Sequence, residues 1–359
     1  LYGSAHPERR RTLRSFRMEG ALEDLLDGTL RAGAGISSFS ATDTLASRET
    51  LLELRAAARK DLLEELEWGS EALLRMHFHS GPLPLADPLL LSAGTEARFR
   101  PVRELDITGG LRFHLFRNAD AGTSGRVFPE LLVRWQTGGE WVLWARFRPE
   151  VRATDLASAF SACPYLGHSL RLRHPEVFTD ITVGIEGRPG PGMHASLQAG
   201  FRERTNAPLY VPDSERGLWL PDAGGTTRVL TAETSVRMEL TPMDECSLAL
   251  LVEGNRNSTT GRREPYVPAL TGSALYLRRF PFPLSVQAEG RYVGSRNADA
   301  AGMRRLDPVF LADVAAEYAV TGGWTAALAL RNAANTPAEW WEAYQEWPRH
   351  LELSVRYAW

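Results

Sequence analysis

The chain has 359 residues, with 41 basic against 44 acidic side chains and a formal net charge of −3. That balance lacks the basic excess that a nucleic-acid binder concentrates on one face. An apolar share of 43% with 24% charged residues excludes a disordered chain. Two cysteines, Cys163 and Cys246, exclude a disulfide framework and a cysteine-rich metal site. No stretch approaches the roughly 18 unbroken apolar residues of a membrane-spanning helix, but a membrane β-barrel needs only alternation and stays open. With no starting Met and no charged-then-apolar leader, the sequence reads as a mature or trimmed chain.

In chain order, a basic run comes first: His6-Pro7-Glu8-Arg9-Arg10-Arg11, read as a lead or loop remnant over residues 1–12. From 13 to 359 the dominant period is two, and the expected unit is one β-barrel domain. Strands are expected at about 13–24, 28–40, 48–60, 63–80, 88–100, 104–117, 126–137, 140–150, 178–188, 192–204, 226–241, 246–256, 268–279, 282–296, 308–321, 323–334 and 349–359. Residues 50–67 also carry high helix propensity, but the alternation running on to Phe78 favours two strands. Leu66, Trp68, Ala72, Leu74, Met76 and Phe78 oppose Glu65, Glu67, Glu71, Arg75 and His77. Leu284, Val286, Ala288 and Tyr292 oppose Gln287, Glu289 and Arg291, and Leu351, Leu353, Val355 and Tyr357 oppose Glu352, Ser354 and Arg356. Successive strand side chains point to opposite faces, so each segment has one apolar and one polar face.

The connections alternate as well. One set is tight and rich in Gly and Pro, as at Gly138-Gly139, Arg188 to Gly192, Thr241 to Asp244, Phe280 to Pro283 and Gly322-Gly323. The other is long and polar, at about 152–176, 205–225, 257–267, 297–307 and 335–348. Short turns on one side and long loops on the other is the layout of a bacterial outer-membrane barrel, with the C-terminus periplasmic and lipid as its solvent. Trp68, Trp135, Trp141, Trp324, Tyr292, Tyr318, Tyr357 and Trp359 fall near segment ends, where aromatic girdles belong. A soluble sandwich or propeller would turn the charged faces to bulk water and use shorter strands. The expected fold is therefore all-β: a transmembrane antiparallel up-and-down barrel of about 16–18 strands.

The polar face supplies candidate lumen-lining residues: Glu65, Glu67, Glu71, Arg75, Arg237, Glu289, Arg291, Glu317 and Arg356. They either seat a plug and guide a solute, or satisfy one another across neighbouring strands. His77, His79 and Ser80 would place a base and a nucleophile at one strand end, but polar residues at a barrel rim explain them more simply, and no enzyme is expected. Two histidines without a placed third ligand do not make a metal site, and no metal or cofactor is expected. Cys163 in a long loop and Cys246 beside a short turn are too far apart to bond. Trp340, Trp341, Tyr344 and Trp347 are the candidate outer-loop contact; they either stack on a ligand or partner, or fold over their own rim.

Several short motifs carry a family resemblance. Tyr266-Val267-Pro268, Tyr292-Val293-Gly294-Ser295, Leu306 to Tyr318, Leu330 to Asn335, and Pro348-Arg349 ahead of the last strand resemble, in order and spacing, the C-terminal part of TonB-dependent outer-membrane receptors. Pro164-Tyr165-Leu166 through Pro175-Glu176 resembles a mid-barrel loop of the same receptors. The resemblance implies energised uptake of a scarce, large nutrient such as a metal chelate or glycan. It also implies a terminal strand, ending in Tyr357 and Trp359, that the barrel-assembly machinery reads. Neither the plug nor the TonB box of that family is found in the sequence, and 17 strands is an odd number. The expected role is thus transport or a transport-derived function with partner chains, among them a separate plug-bearing or other outer-membrane chain. The alternatives are a structural anchor barrel of a larger assembly and an open diffusion porin.

Overall fold

The computed structural model describes residues 12–25, 30–42, 46–80, 87–118, 122–167, 173–213, 218–320, 322–342, 344–345 and 347–357. The basic lead at 6–11 and Trp359 lie outside the described residues.

One antiparallel sheet dominates. Its strands are β1 (Thr12–Leu25), β2 (Leu30–Thr42), β3 (Ala46–Leu63), β4 (Leu66–Ser80), β5 (Leu89–Val102), β6 (Leu105–Arg117), β7 (Thr123–Gln136), β8 (Trp141–Phe147, resuming over Glu150–Val151), β9 (Glu176–Gly187), β10 (Met193–Thr205), β11 (Thr226–Thr241), β12 (Asp244–Asn257), β13 (Leu270–Arg279), β14 (Leu284–Val293), β15 (Val309–Ala319), β16 (Trp324–Arg331) and β17 (His350–Tyr357). The sheet has 18 ladder segments, but the two halves of β8 both pair with β9 and form one strand broken at Pro149, which leaves 17 strands among the described residues. Proline has no N–H for the ladder, hence the break.

Each strand pairs with its neighbours in sequence, so the topology is a meander. The region with competing helix propensity is the hairpin β3–β4, in register from Arg48↔Ser80 to Leu63↔Leu66. Alternation overrides propensity there because one face can be buried only in the strand form. Among the described residues no pairing joins β1 to β17.

The outward face is apolar along the whole sheet, with Ile36, Leu54, Phe78, Leu111, Leu131, Leu197, Leu230, Leu250, Phe310 and Leu328 exposed. A surface of this kind would associate in water and needs an apolar surrounding. At the turn end, Trp68, Trp135, Trp324, Tyr318 and Tyr357 stand exposed on that face, and the Trp324 and Tyr357 rings lie 4.8 Å apart. Tight turns close this end; at the last of them Gly322 and Gly323 take φ of 76° and 83°, a conformation that costs glycine little. At the other end the connections from β8 onward are long. They hold the single described helix, α1 (Leu156–Ala162), and three small hairpins: Pro208–Asp213 with Leu218–Ala223, Arg296–Asn297 with Arg305–Leu306, and Glu339–Trp341 with Tyr344–Gln345.

Candidate functional site

The inner face is a lattice of paired charges. Arg75 bonds Glu53 one strand away. Arg112 reaches both Glu71 and Glu130, and Arg148 approaches Glu130 at 3.7 Å. Asp180 holds Arg202 at 3.0 Å and Arg152 at 3.5 Å. Near the chain end Asp313 sits between Arg291 at 3.3 Å and Arg331 at 3.4 Å, and Arg331 continues to Glu352 at 3.0 Å. Alternation puts these charges on one face of the sheet, where residues of neighbouring or next-but-one strands, as Glu71 on β4 and Arg112 on β6, lie within side-chain reach.

The sequence-derived candidates fall into place unevenly. Glu71, Arg75 and Arg291 are members of these pairs. Glu67 lies 3.8 Å from Arg98, and Arg237 bonds Glu245 at 2.7 Å. Glu289 lies 3.4 Å from Arg291. Glu317 and Arg356 line one polar hollow of about 280 Å³ together with Arg331 and Glu352. Glu65 lies in the turn between β3 and β4, where its carbonyl accepts from the Arg100 N–H at 2.9 Å. A larger hollow of about 790 Å³, lined by Arg55, Glu71, Arg75, Arg112, His114 and Arg148 among others, opens between β1 and β8.

At the loop end the wall meets a cap. His77 Nδ1 lies 2.8 Å from Glu49 Oε1, and His79 Nε2 lies 3.0 Å from the same oxygen. Glu49 Oε2 accepts the Leu156 N–H at 2.7 Å, so the carboxylate anchors the first turn of α1. Asp155 caps that helix, and its side chain accepts from Ser158 N. His174 packs against this group, its ring 6.0 Å from that of His77, and its Nδ1 accepts the Thr154 N–H at 3.2 Å. Burial first, then the neighbouring His77, holds the His174 imidazole down to about 4. Ser80 is exposed, and among the described residues no hydrogen bond joins it to either imidazole. The two imidazoles, Glu49 and the Leu156 N–H together form a clasp between the wall and α1.

Above the clasp, aromatic side chains from separate loops converge. Phe160, Cys163, Leu166, Trp219, Trp341 and Tyr344 are buried together with Ala41 from the end of β2. Tyr165 stacks on Tyr344 at 3.7 Å, Tyr266 on Trp341 at 4.2 Å, and Trp219 Nε1 donates to the Tyr266 hydroxyl at 2.9 Å. Tyr266 is one of few non-glycine residues at positive φ, 60°, a strained conformation that the packing must hold. Burial pushes the Tyr266 hydroxyl up, and the Tyr210 hydroxyl up to about 12. Of the four loop aromatics singled out in the sequence, Trp341 and Tyr344 are buried in the cap, Trp340 packs against it, and Trp347 is exposed. Cys163 lies inside the cap and Cys246 on β12; the two are not joined.

Beside the cap is a cavity of about 540 Å³ lined by Tyr165, Tyr266, Arg296, Trp340, Trp341, Tyr344 and Trp347 among others. Arg296 is 3% exposed. It donates to the Glu339 carbonyl and lies 5.3 Å from the Trp340 ring, while its Nη1 has no hydrogen-bond partner among the described residues. Burial lowers the affinity of this guanidinium for its proton. Sequence reading passed over Arg296, because a lone loop arginine carries no pattern.

No family model matches the sequence, and no curated protein matches it either. Solved structures match its fold across nearly the whole chain. The FrpB iron transporter of Neisseria meningitidis (F3-3 variant) superposes with a TM-score of 0.70 at 15% identity, over 97% of this chain and 63% of that one. The fold is that of a TonB-dependent receptor barrel. The copper transporter OprC gives 0.69 at 14% identity over 96% of this chain and 65% of its own, and the pyoverdine outer-membrane receptor FpvA of Pseudomonas aeruginosa gives 0.65 at 13% over 97% and 62%. The chain thus spans under two thirds of the length of the receptors it matches. The tight-turn end, the apolar belt and the folded loops of the receptor-type barrel are the features laid out above.

Proposed function

We propose that this chain forms the wall and outer cap of an outer-membrane transport barrel, with its tight turns and C-terminus on the periplasmic side. The observation that carries the reading is a continuous apolar outer face backed by a charged inner face, as lipid and a hydrated lumen demand. The likeness to iron, copper and pyoverdine receptors supports uptake of a scarce, large solute such as a metal chelate, with energy and partner chains supplied from outside residues 1–359. Entry would begin at the loop end, where the aromatic cavity and Arg296 lie. Insertion would use the barrel-assembly machinery, which reads the last strand around Tyr357.

Two measurements test this reading. Fractionation should place the chain in the outer membrane, and recovery in a soluble fraction would contradict it. Planar-bilayer recording of the detergent-extracted particle should show no persistent open-channel steps, because the folded cap closes the loop end. Stable steps would instead favour an open diffusion porin.

A further inference from the structure

Alternation sorts the arginines of the wall by face, and the two faces treat them differently. On the inner face Arg75, Arg112, Arg148, Arg202, Arg291 and Arg331 each reach a carboxylate. On the outward face, at the loop ends of their strands, Arg48 on β3, Arg117 on β6, Arg228 on β11 and Arg256 on β12 are all exposed. Each lies an even number of residues from an exposed side chain of the apolar belt: Leu54, Phe113, Leu230 and Val252. Arg228 has a carboxylate, Glu203 at 3.0 Å. Arg48, Arg117 and Arg256 meet none among the described residues; Arg117 donates to the Asp87 carbonyl at 2.8 Å and Arg256 to the Gly261 carbonyl at 3.2 Å.

The excess of positive charge is sharpest at β11–β12. Arg228 and Arg256 stand directly opposite one another in the ladder, and like charges in that relation destabilise a sheet. An anion bridging them reverses the cost. At the turn end the outward pair in the same relation has opposite signs, Asp244 on β12 with Arg278 on β13 at 3.6 Å. Next to the two arginines, toward the belt, Leu230 faces Gly254. A side chain at Gly254 would meet nothing within 4 Å, so the belt has a notch there. On the loop side the Ser258 hydroxyl accepts the Thr226 N–H at 3.1 Å and keeps its own proton to donate.

We propose that Arg228 and Arg256, with the Ser258 hydroxyl, bind the phosphate of an outer-leaflet lipid whose acyl chain lies over Gly254. The site rests on the outer-membrane reading above, which puts the loop ends in the outer leaflet. Guanidinium forks match phosphate oxygens in geometry as well as charge, and the notch beside them fits a hydrocarbon chain rather than a soluble anion. Arg48 and Arg117 extend the positive rim to β3 and β6, where they attract the same headgroups.

The test is native mass spectrometry of the chain extracted from outer membranes, delipidated in detergent, then exposed to lipid A or to lipid A stripped of its phosphates. The chain is first confirmed in the outer-membrane fraction; its absence there overturns the membrane reading and the site together. Adducts with lipid A are expected at about tenfold or more above those with the dephosphorylated form. The double variant R228Q/R256Q should lose that excess, and R278Q, outward at the turn end, should keep it. Equal adducts with both lipids on the wild-type chain, a comparison that needs no variant to fold, would overturn the site and leave the membrane reading standing. So would a folded R228Q/R256Q chain that binds as the wild type does. Loss of the lipid A adducts on adding excess inorganic phosphate would assign the arginines to a free anion and overturn the lipid.

Discussion

Glu49 on β3 and Leu156 at the start of α1 are 107 residues apart in sequence, yet the Leu156 N–H donates to Glu49 Oε2 at 2.7 Å. The other carboxylate oxygen faces His77 and His79 on β4. One side chain thus ties two wall strands to the helix of the longest cap loop. Replacing it, Glu49→Ala, removes charge-assisted bonds worth roughly 3 kcal/mol together. Limited trypsin digestion in detergent should then cut at Arg152 well before the wild-type chain is touched, and Glu49→Gln should fall between the two.

The same loop is expected to loosen in acid. His174 has its imidazole held down to about 4 from an ordinary 6.5, chiefly by burial. The folded chain therefore binds fewer protons than the unfolded one across that interval. Its contribution to stability is complete above 6.5 and is lost as pH falls from 6.5 toward 4, by roughly 3 kcal/mol at most. Fluorescence of the cap tryptophans followed from pH 7.5 to 4 should change in that window, and the change should be smaller in His174→Phe.

Much of this architecture was legible from alternation alone. Strands such as β11, read at 226–241 and found at Thr226–Thr241, announce themselves because a two-residue period survives any detail of packing. The wall pairs follow from the same period. Helix α1 was not legible: its seven residues are too short to show an amphipathic stripe, and its capping box uses Ser158 where the usual signature has Glu or Gln. The Glu49 clasp and the setting of Arg296 were hidden for another reason, since both depend on loops meeting across the mouth. Trp341 and Tyr344 were visible as candidates, but only the cap shows that they face their own loops.

Asp313 is the junction of the C-terminal wall. It receives the Asn332 N–H at 2.8 Å as well as its two arginines, and Asn332 stands at a positive φ of 47°. Asp313→Ala leaves Arg291 and Arg331 facing each other with one carboxylate fewer. A loss of about 2–4 kcal/mol is expected, read as a lower unfolding temperature of the heat-modifiable gel band. Glu65→Ala, in a turn where the bond is made by the backbone oxygen and none by the side chain among the described residues, should leave that temperature unchanged.

Trp341 touches Tyr210, Trp219 and Tyr266 at ring separations of 5.5, 5.5 and 4.2 Å. Trp341→Ala opens a void among them and should cost about 3–5 kcal/mol of local cap stability. Hydrogen exchange should rise in 208–213 and 339–345 while the wall strands β10 to β12 keep their protection.

The central claim is that the two ends of the strand array lie on opposite sides of an outer membrane. Single cysteines placed at Met303, exposed in a loop, and at Met243, in a tight turn, test it directly in a Cys246→Ser background, Cys163 being fully buried. A membrane-impermeant maleimide added to intact cells should label Met303→Cys and spare Met243→Cys until the outer membrane is permeabilised. Labelling of both positions in intact cells, or of Met243→Cys alone, would contradict the account.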